Sequence, residues 1–173
     1  MSSHVVLHAG PAVGFDQPFE MLAACHDRVR RSLDLMQRLH AHVQQHGLDA
    51  QARDAAADVL RYFDRAGPAH HEDEERHVLP RLRTAGQPEL ADRLHAEHAQ
   101  MTQVWDLLRK PLVKWARGEP ALMDTDLLLC YTTLHGCHLA IEEAEAFATA
   151  RTGADAETLS LMGEEMARRR RNA

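Results

Sequence analysis

Six ionisable side chains stand where a helical protein normally places apolar ones. They are His26, His70, Glu74, His98, His138 and Glu142. The members of two His-x-x-x-Glu pairs are four residues apart, so each pair points along one face of a helix. Burying such groups without partners costs several kcal/mol each. Because imidazole nitrogens and carboxylate oxygens are metal ligands, the pattern predicts a buried metal centre in which two carboxylates bridge two cations.

The turns between the helical segments provide a second test of this prediction. In a bundle of helices that run up and down, residues at one level are equally far from the turn between them. The positions midway between successive members of the set fall on or beside glycines at predicted turns, which are Gly47, Gly86 and Gly118. The set is therefore expected to meet in one layer, about four to six helical turns from the loops.

Four long segments with helical periodicity carry this set. Their inward positions run from Phe19 to Val43, from Ala56 to His77, from Ala91 to Trp115 and from Leu128 to Glu145. Pro68 lies inside the second segment, where its ring should kink or widen the helix one turn before His70. Strand and hairpin signals are nearly absent. The sequence predicts an all-α protein, an antiparallel four-helix bundle in up-down-up-down order with a short C-terminal helix.

The length of 173 residues favours one domain with a sizeable core. We expect a flexible N-terminal segment at 1–16, the bundle at 17–152, and an amphipathic helix with a basic tail at 153–173. The arginines at 168–171 are interpreted as a solvated helix end. A net charge of −6 argues against nucleic-acid binding.

The remaining sequence features concern location and redox state. No stretch of about 18 apolar residues and no secretory signal is present, so a cytoplasmic protein without a membrane span is expected. The three cysteines show no CxxC spacing and are interpreted as free, mostly buried thiols. The sequence leaves the oligomeric state open.

The residues around the six candidates carry a resemblance to a known family. The stretch His70–Pro80 is similar to the second-helix signature of the hemerythrin-like, or HHE cation-binding, family, in which a His, a Glu-Glu and an apolar-Pro ending recur. Cys25–Asp27 and Ala96–His98 resemble the first-helix and third-helix histidine regions, and His138–Glu142 resembles the fourth-helix pair. The resemblance covers about residues 15–150.

Family membership implies a non-haem di-iron site, with the two irons joined by an oxo or hydroxo bridge. By this resemblance, Glu74 and Glu142 bridge the irons, His26 and His70 bind one iron, and the remaining two histidines bind the other. The ligand set also suits manganese or zinc, and the resemblance favours iron.

One position departs from the oxygen-carrying members of the family. They have two third-helix histidines spaced HxxxH, whereas this chain has Leu94 four residues before His98. One iron thus lacks a ligand, or His95 or His135 replaces it; either residue is alternatively an outer hydrogen-bonding partner. An open position favours reactivity or sensing. An apolar pocket of Leu94, Met101 and Ile141 is expected to exclude water there.

Three functional hypotheses follow. The first is a protein that binds or senses O2 or NO at the open iron position. The second is a di-iron enzyme that acts on NO or peroxide or repairs iron centres. The third is a structural or regulatory metal-binding bundle without redox chemistry. The absence of a dedicated nucleophile or substrate-binding arm favours the first.

Overall fold

The fold is seen in a computed structural model that describes residues 13–172. Most of the N-terminal segment predicted to be flexible, residues 1–12, lies outside the described residues. No strand occurs within residues 13–172, so the predicted all-helical class is confirmed for the described chain. None of the helices there combines the length and apolar character needed to cross a bilayer.

The first long helix, α1 (Pro18–His46), begins and ends where its sequence predicts. Pro18 suits the first helical turn, where the missing N–H has no helical partner to lose. The helix ends at Gly47, whose φ of 82° is open to glycine but strained for other residues. The N–H of Gly47 donates to the carbonyl of Val43 and closes the last turn.

The second segment is divided into α2 (Ala50–Arg61), a π-helical turn (Tyr62–Ala66), α3 (Gly67–His77) and α4 (Leu79–Thr84). Asp49 caps α2 by accepting a hydrogen bond from the N–H of Ala52. The π-helical turn lies just before Pro68, which cannot donate to the preceding turn. This widening agrees with the kink or widening expected there.

The third and fourth segments face the same core. They consist of α5 (Pro88–Ala116), then α6 (Thr125–Ile141), a π-helical turn (Glu142–Ala146) and α7 (Phe147–Arg151). The second π-helical turn corrects one predicted inward position. Glu145 is exposed and Ala146 is buried instead, because a π turn adds one residue before the next inward position.

The C-terminal helix α8 (Ala156–Asn172) packs against α1 and α3. Its Met162 and Met166 are buried. The prediction that the arginines at 168–171 form a solvated end was wrong for two of them. Arg169 and Arg170 bind opposite oxygens of Asp73, a fully buried carboxylate on α3. The carboxylate needs these cations because an unpaired buried charge is strongly unfavourable.

The helices enclose two apolar clusters. One contains Val29, Phe63, Met101 and Leu139, and the other contains Leu22, Val78, Leu94 and Ala146. Along the first three segments, the proposed ligands fall between members of the two clusters. On the fourth segment they fall between Tyr131 of the first cluster and Ala146 of the second. A polar layer therefore crosses the middle of the core. The contacts between elements connect α1 to α2, α2 to α5, α5 to α6 and α6 to α1, which brings all four segments to this layer.

Candidate metal centre

The six candidate ligands lie in this polar layer, and each is at most 3% exposed. They form two groups of four, and one ligand atom from each member of a group lies within 4.8 Å of the others. The first group is His26, His70, Glu74 and Glu142. The second is Glu74, His98, His138 and Glu142. The two groups share both glutamates.

The shared carboxylates divide their oxygens between the two groups. Glu74 places Oε1 3.0 Å from Nε2 of His70 and Oε2 3.5 Å from Nε2 of His98. Glu142 places Oε2 3.3 Å from Nε2 of His26 and Oε1 3.2 Å from Nε2 of His138. This is the arrangement that two carboxylates adopt when each spans two cation positions.

Outer carboxylates determine which ring nitrogen faces the layer. Nδ1 of His26 lies 2.8 Å from Glu143. Two further pairs repeat this contact, His98 with Glu75 at 3.0 Å and His138 with Glu97 at 2.8 Å. A carboxylate accepts a hydrogen bond, so each Nδ1 carries the proton and each neutral ring turns an Nε2 lone pair inward. Metal-binding histidines are normally oriented in this way.

The layer has an excess of acceptors. Nε2 of His98 and Nε2 of His138 are 3.1 Å apart, although both carry lone pairs when the rings are neutral. Within the described chain, both oxygens of Glu74 and of Glu142 are buried without a hydrogen bond, as is Nε2 of His26. Groups with this chemistry need cations between them, supplied by metal ions or by bound protons. The residues present therefore fit a metal pair.

In the metal-free protein, the pKa values of the histidines show that bound protons supply the positive charge that the layer needs. Burial lowers the pKa of His26, but the carboxylates of Glu142 and Glu74 outweigh it and raise this pKa to about 10. Burial also lowers the pKa of His138, but the carboxylate of Glu142 outweighs it and raises this pKa to about 9. Burial acts to raise the pKa of Glu74, yet the facing histidines hold it well below its usual range.

His135 and His95, the two further candidates, lie in neither four-residue group. His135 is buried, and its Nδ1 donates to the carbonyl of Tyr131 at 2.9 Å. Burial lowers the pKa of His135 to about 4, so the ring is neutral. The side chain of His95 is 60% exposed, and its Nδ1 lies 3.6 Å from Glu75.

The sequence analysis did not identify Glu143, Glu97 and Glu75 as hydrogen-bond partners of the candidate ligands. His71 stacks on the ring of His98, with centroids 4.1 Å apart and the planes 6° from parallel. A signal was present, because each of the three acids is adjacent in sequence to a candidate ligand. A side chain one position along a helix is turned by about 100°, toward the neighbouring helix.

A cavity of about 70 Å³ lies beside His70. Its wall is mainly aromatic and includes Tyr62, Phe63, Trp105 and Tyr131. Burial raises the pKa of both tyrosines, so their hydroxyls stay protonated.

The predicted apolar pocket of Leu94, Met101 and Ile141 was wrong in composition. Only Met101 lines the cavity, because Leu94 belongs to the apolar cluster on the opposite side of the polar layer and Ile141 packs against that same cluster.

The cysteines also differ from expectation. Cys25 is buried, whereas Cys130 and Cys137 are exposed on α6. The prediction of mostly buried thiols was therefore wrong for two of the three. No cysteine belongs to either group of candidate ligands within residues 13–172.

Comparison with known proteins agrees with this geometry. The chain is 30% identical over 158 residues to an uncharacterized protein of Haemophilus influenzae, covering 90% of this chain and 91% of that protein. Residues 17–150 match the family model described as the hemerythrin HHE cation binding domain, and this range contains all six candidate ligands. The match spans most of the chain, and the chain therefore belongs to the hemerythrin HHE cation-binding family.

Proposed function

We propose that this protein is a non-haem di-iron protein that binds or senses a small diatomic ligand, O2 or NO. The observation that carries the proposal is the division of Glu74 and Glu142 between two buried histidine pairs. Each of the two positions then receives two imidazole nitrogens and two carboxylate oxygens. This set leaves coordination positions free on metals that favour five or six ligands.

Iron is the proposed metal in both positions, with His26 and His70 on one ion and His98 and His138 on the other. Mixed imidazole and carboxylate ligands suit iron, and manganese or zinc are the competing choices. Ferrous iron supplies the electrons that bind O2 reversibly and the orbitals that bind NO. The outer carboxylates hold the rings of His26, His98 and His138 in the productive orientation before any metal arrives.

The cavity beside His70 is the proposed ligand chamber. Its volume of about 70 Å³ accommodates a diatomic molecule, since one water in the liquid occupies about 30 Å³. The mainly aromatic wall favours a small uncharged ligand over a charged one. His135 lines the same cavity and keeps its Nδ1 engaged with Tyr131, so its Nε2 is free to accept a hydrogen bond.

We also propose that the four segments are ordered up, down, up, down, with the bundle at 17–152. The positive φ values at Gly47, Gly86, Gly118 and Gly153 support this order, because they mark a chain reversal after each segment. The succession of contacts from α1 through α2 and α5 to α6 is consistent with it.

The second candidate function is a di-iron enzyme that turns over peroxide or NO. The observation that favours it is the presence of Tyr62 and Tyr131 in the wall of the cavity beside His70. Protonated phenols there can donate a hydrogen bond or a proton to a bound oxidant.

Anaerobic reconstitution with Fe²⁺, followed by metal counting and spectra after adding O2 and then NO, tests the proposal. Two irons per chain and reversible charge-transfer bands with O2 or NO are expected. Many turnovers of peroxide or NO would favour the enzyme instead. A colourless protein that prefers two zinc ions would contradict both and favour a structural bundle.

Substitution of one shared carboxylate provides the matched comparison. Glu74→Ala should lower the metal content below two ions per chain, because both positions lose an oxygen ligand. Glu145→Ala is the control, since Glu145 is an exposed glutamate close to Glu142. Retention of two ions by Glu74→Ala would refute the bridging role.

A further inference from the structure

The buried metal positions need a route by which ions reach them, and one groove has the chemistry for it. A groove of about 220 Å³ lies between α3 and α5. The ionisable residues in its wall are His71, Glu72, Glu75, His95 and His98. We name this the entry groove. It carries cation-binding side chains at the surface and a proposed ligand, His98, in its wall.

Polar atoms in the entry groove form a short chain from solvent to the metal layer. Nδ1 of His95 lies 3.6 Å from Oε1 of Glu75. The same oxygen is 3.0 Å from Nδ1 of His98, and Nε2 of His98 is 3.5 Å from Glu74. Exposure falls along this chain from 60% at His95 to 36% at Glu75 and 3% at His98.

Three other openings within residues 13–172 lack this combination. The one beside Phe147 contains Glu20 and Glu143 but no histidine. The cavity beside His70 has an aromatic wall without a carboxylate. A groove on α5 and α6, which includes Cys130 and Cys137, contains none of the six proposed ligands. An arriving divalent cation is hydrated, so it exchanges water for protein ligands most readily where carboxylate and imidazole groups lead inward.

We propose that the entry groove is a loading site, where His95 and Glu75 capture a divalent metal ion and transfer it past His98 to the metal pair. This inference rests on the proposed di-metal function. His95 acts only during loading, because it belongs to neither group of proposed ligands and its Nδ1 lies near Glu75. Glu75 acts both in loading and in orienting His98.

Fe²⁺ uptake by the metal-free protein, followed anaerobically in competition with a chromogenic ferrous chelator, tests the inference. His95→Ala should take up iron about tenfold more slowly at limiting iron, the low end of the gain expected from local concentration of ions in a charged cleft. Its final content should equal that of the wild type. Glu75→Gln should lower both the rate and the affinity. Thermal melts of each variant verify that the fold is retained.

His46→Ala is the matched control. His46 is also exposed, and its ring centroid lies 5.0 Å from that of His42, so it tests whether a surface histidine outside the entry groove speeds uptake. It should load at the wild-type rate. Loading of His95→Ala at the wild-type rate would refute the loading role of the entry groove, while the proposed di-metal function would still hold. Failure of the wild type to take up Fe²⁺ or Zn²⁺ would overturn both.

Discussion

The contact between α8 and Asp73 allows a stability prediction with an internal control. Asp73 is fully buried and precedes Glu74 on α3. Arg169 binds one of its oxygens, and Nη1 of Arg170 lies 2.5 Å from the other. Replacing both arginines by glutamine leaves this carboxylate buried without a cation. Such losses cost about 3–5 kcal/mol of unfolding free energy.

The opposite substitution should be milder. Asp73→Asn removes the buried charge, and the arginines are 12% and 24% exposed, so water can solvate them. Arg169 also keeps Glu165 as a partner. The loss should be about 1.5–3 kcal/mol, the range for hydrogen bonds to charged groups. Adding Asp73→Asn to the double arginine variant should restore stability, since the unpaired charge disappears.

Urea and thermal unfolding of the metal-free protein measure these differences. For a chain of this length, 1 kcal/mol shifts the melting temperature by about 2–4 °C, so the double variant should melt about 10 °C lower. Arg168→Gln with Arg171→Gln is the control, because it removes the same charge from exposed positions of α8. Equal melting of the control and the test pair would refute the reasoning, as would a further loss on adding Asp73→Asn.

Three further outcomes are expected. Glu97→Gln should weaken metal binding about 10–100-fold, because Glu97 orients His138; competition with a chelator measures it, and an unchanged affinity would contradict the role. Protonation of His26 and His138 stabilises the metal-free fold because their pKa values are raised. This stabilisation is fully present below pH 6.5 and is lost as the pH rises toward about 10 for His26 and about 9 for His138. The metal-free melting temperature should therefore fall from pH 7 to 10, while the loaded protein, whose metals have displaced those protons, should not follow. Gly47→Ala should lower the free energy of unfolding by about 1–3 kcal/mol, measured by chemical denaturation. The φ of 82° and ψ of −170° at Gly47 suit only glycine, and a Cβ added there would have no atom within 4 Å, so the loss comes from backbone strain and not from a clash.

Rules that depend only on local sequence predicted much of the fold and which residues come together in the polar layer. The inward positions of α1 and α5 follow a 3.6-residue period over long stretches, so their burial was predictable residue by residue. Pro68 indicated a local change in the helix, which is the first π-helical turn, because proline has no N–H to donate to the preceding turn. The second π-helical turn has no such marker, and its effect on Glu145 and Ala146 was therefore missed.

The sequence by itself determined that six ionisable residues share one level, because helical spacing and turn positions fix depth along a bundle. Only the tertiary structure decided their environment. The hydrogen bonds from His138 to Glu97 and from Arg170 to Asp73 join residues distant in the chain. Contacts of this kind depend on how neighbouring helices pack against each other. Sequence spacing shows which side of a helix a residue lies on, but it does not identify the partner on another helix.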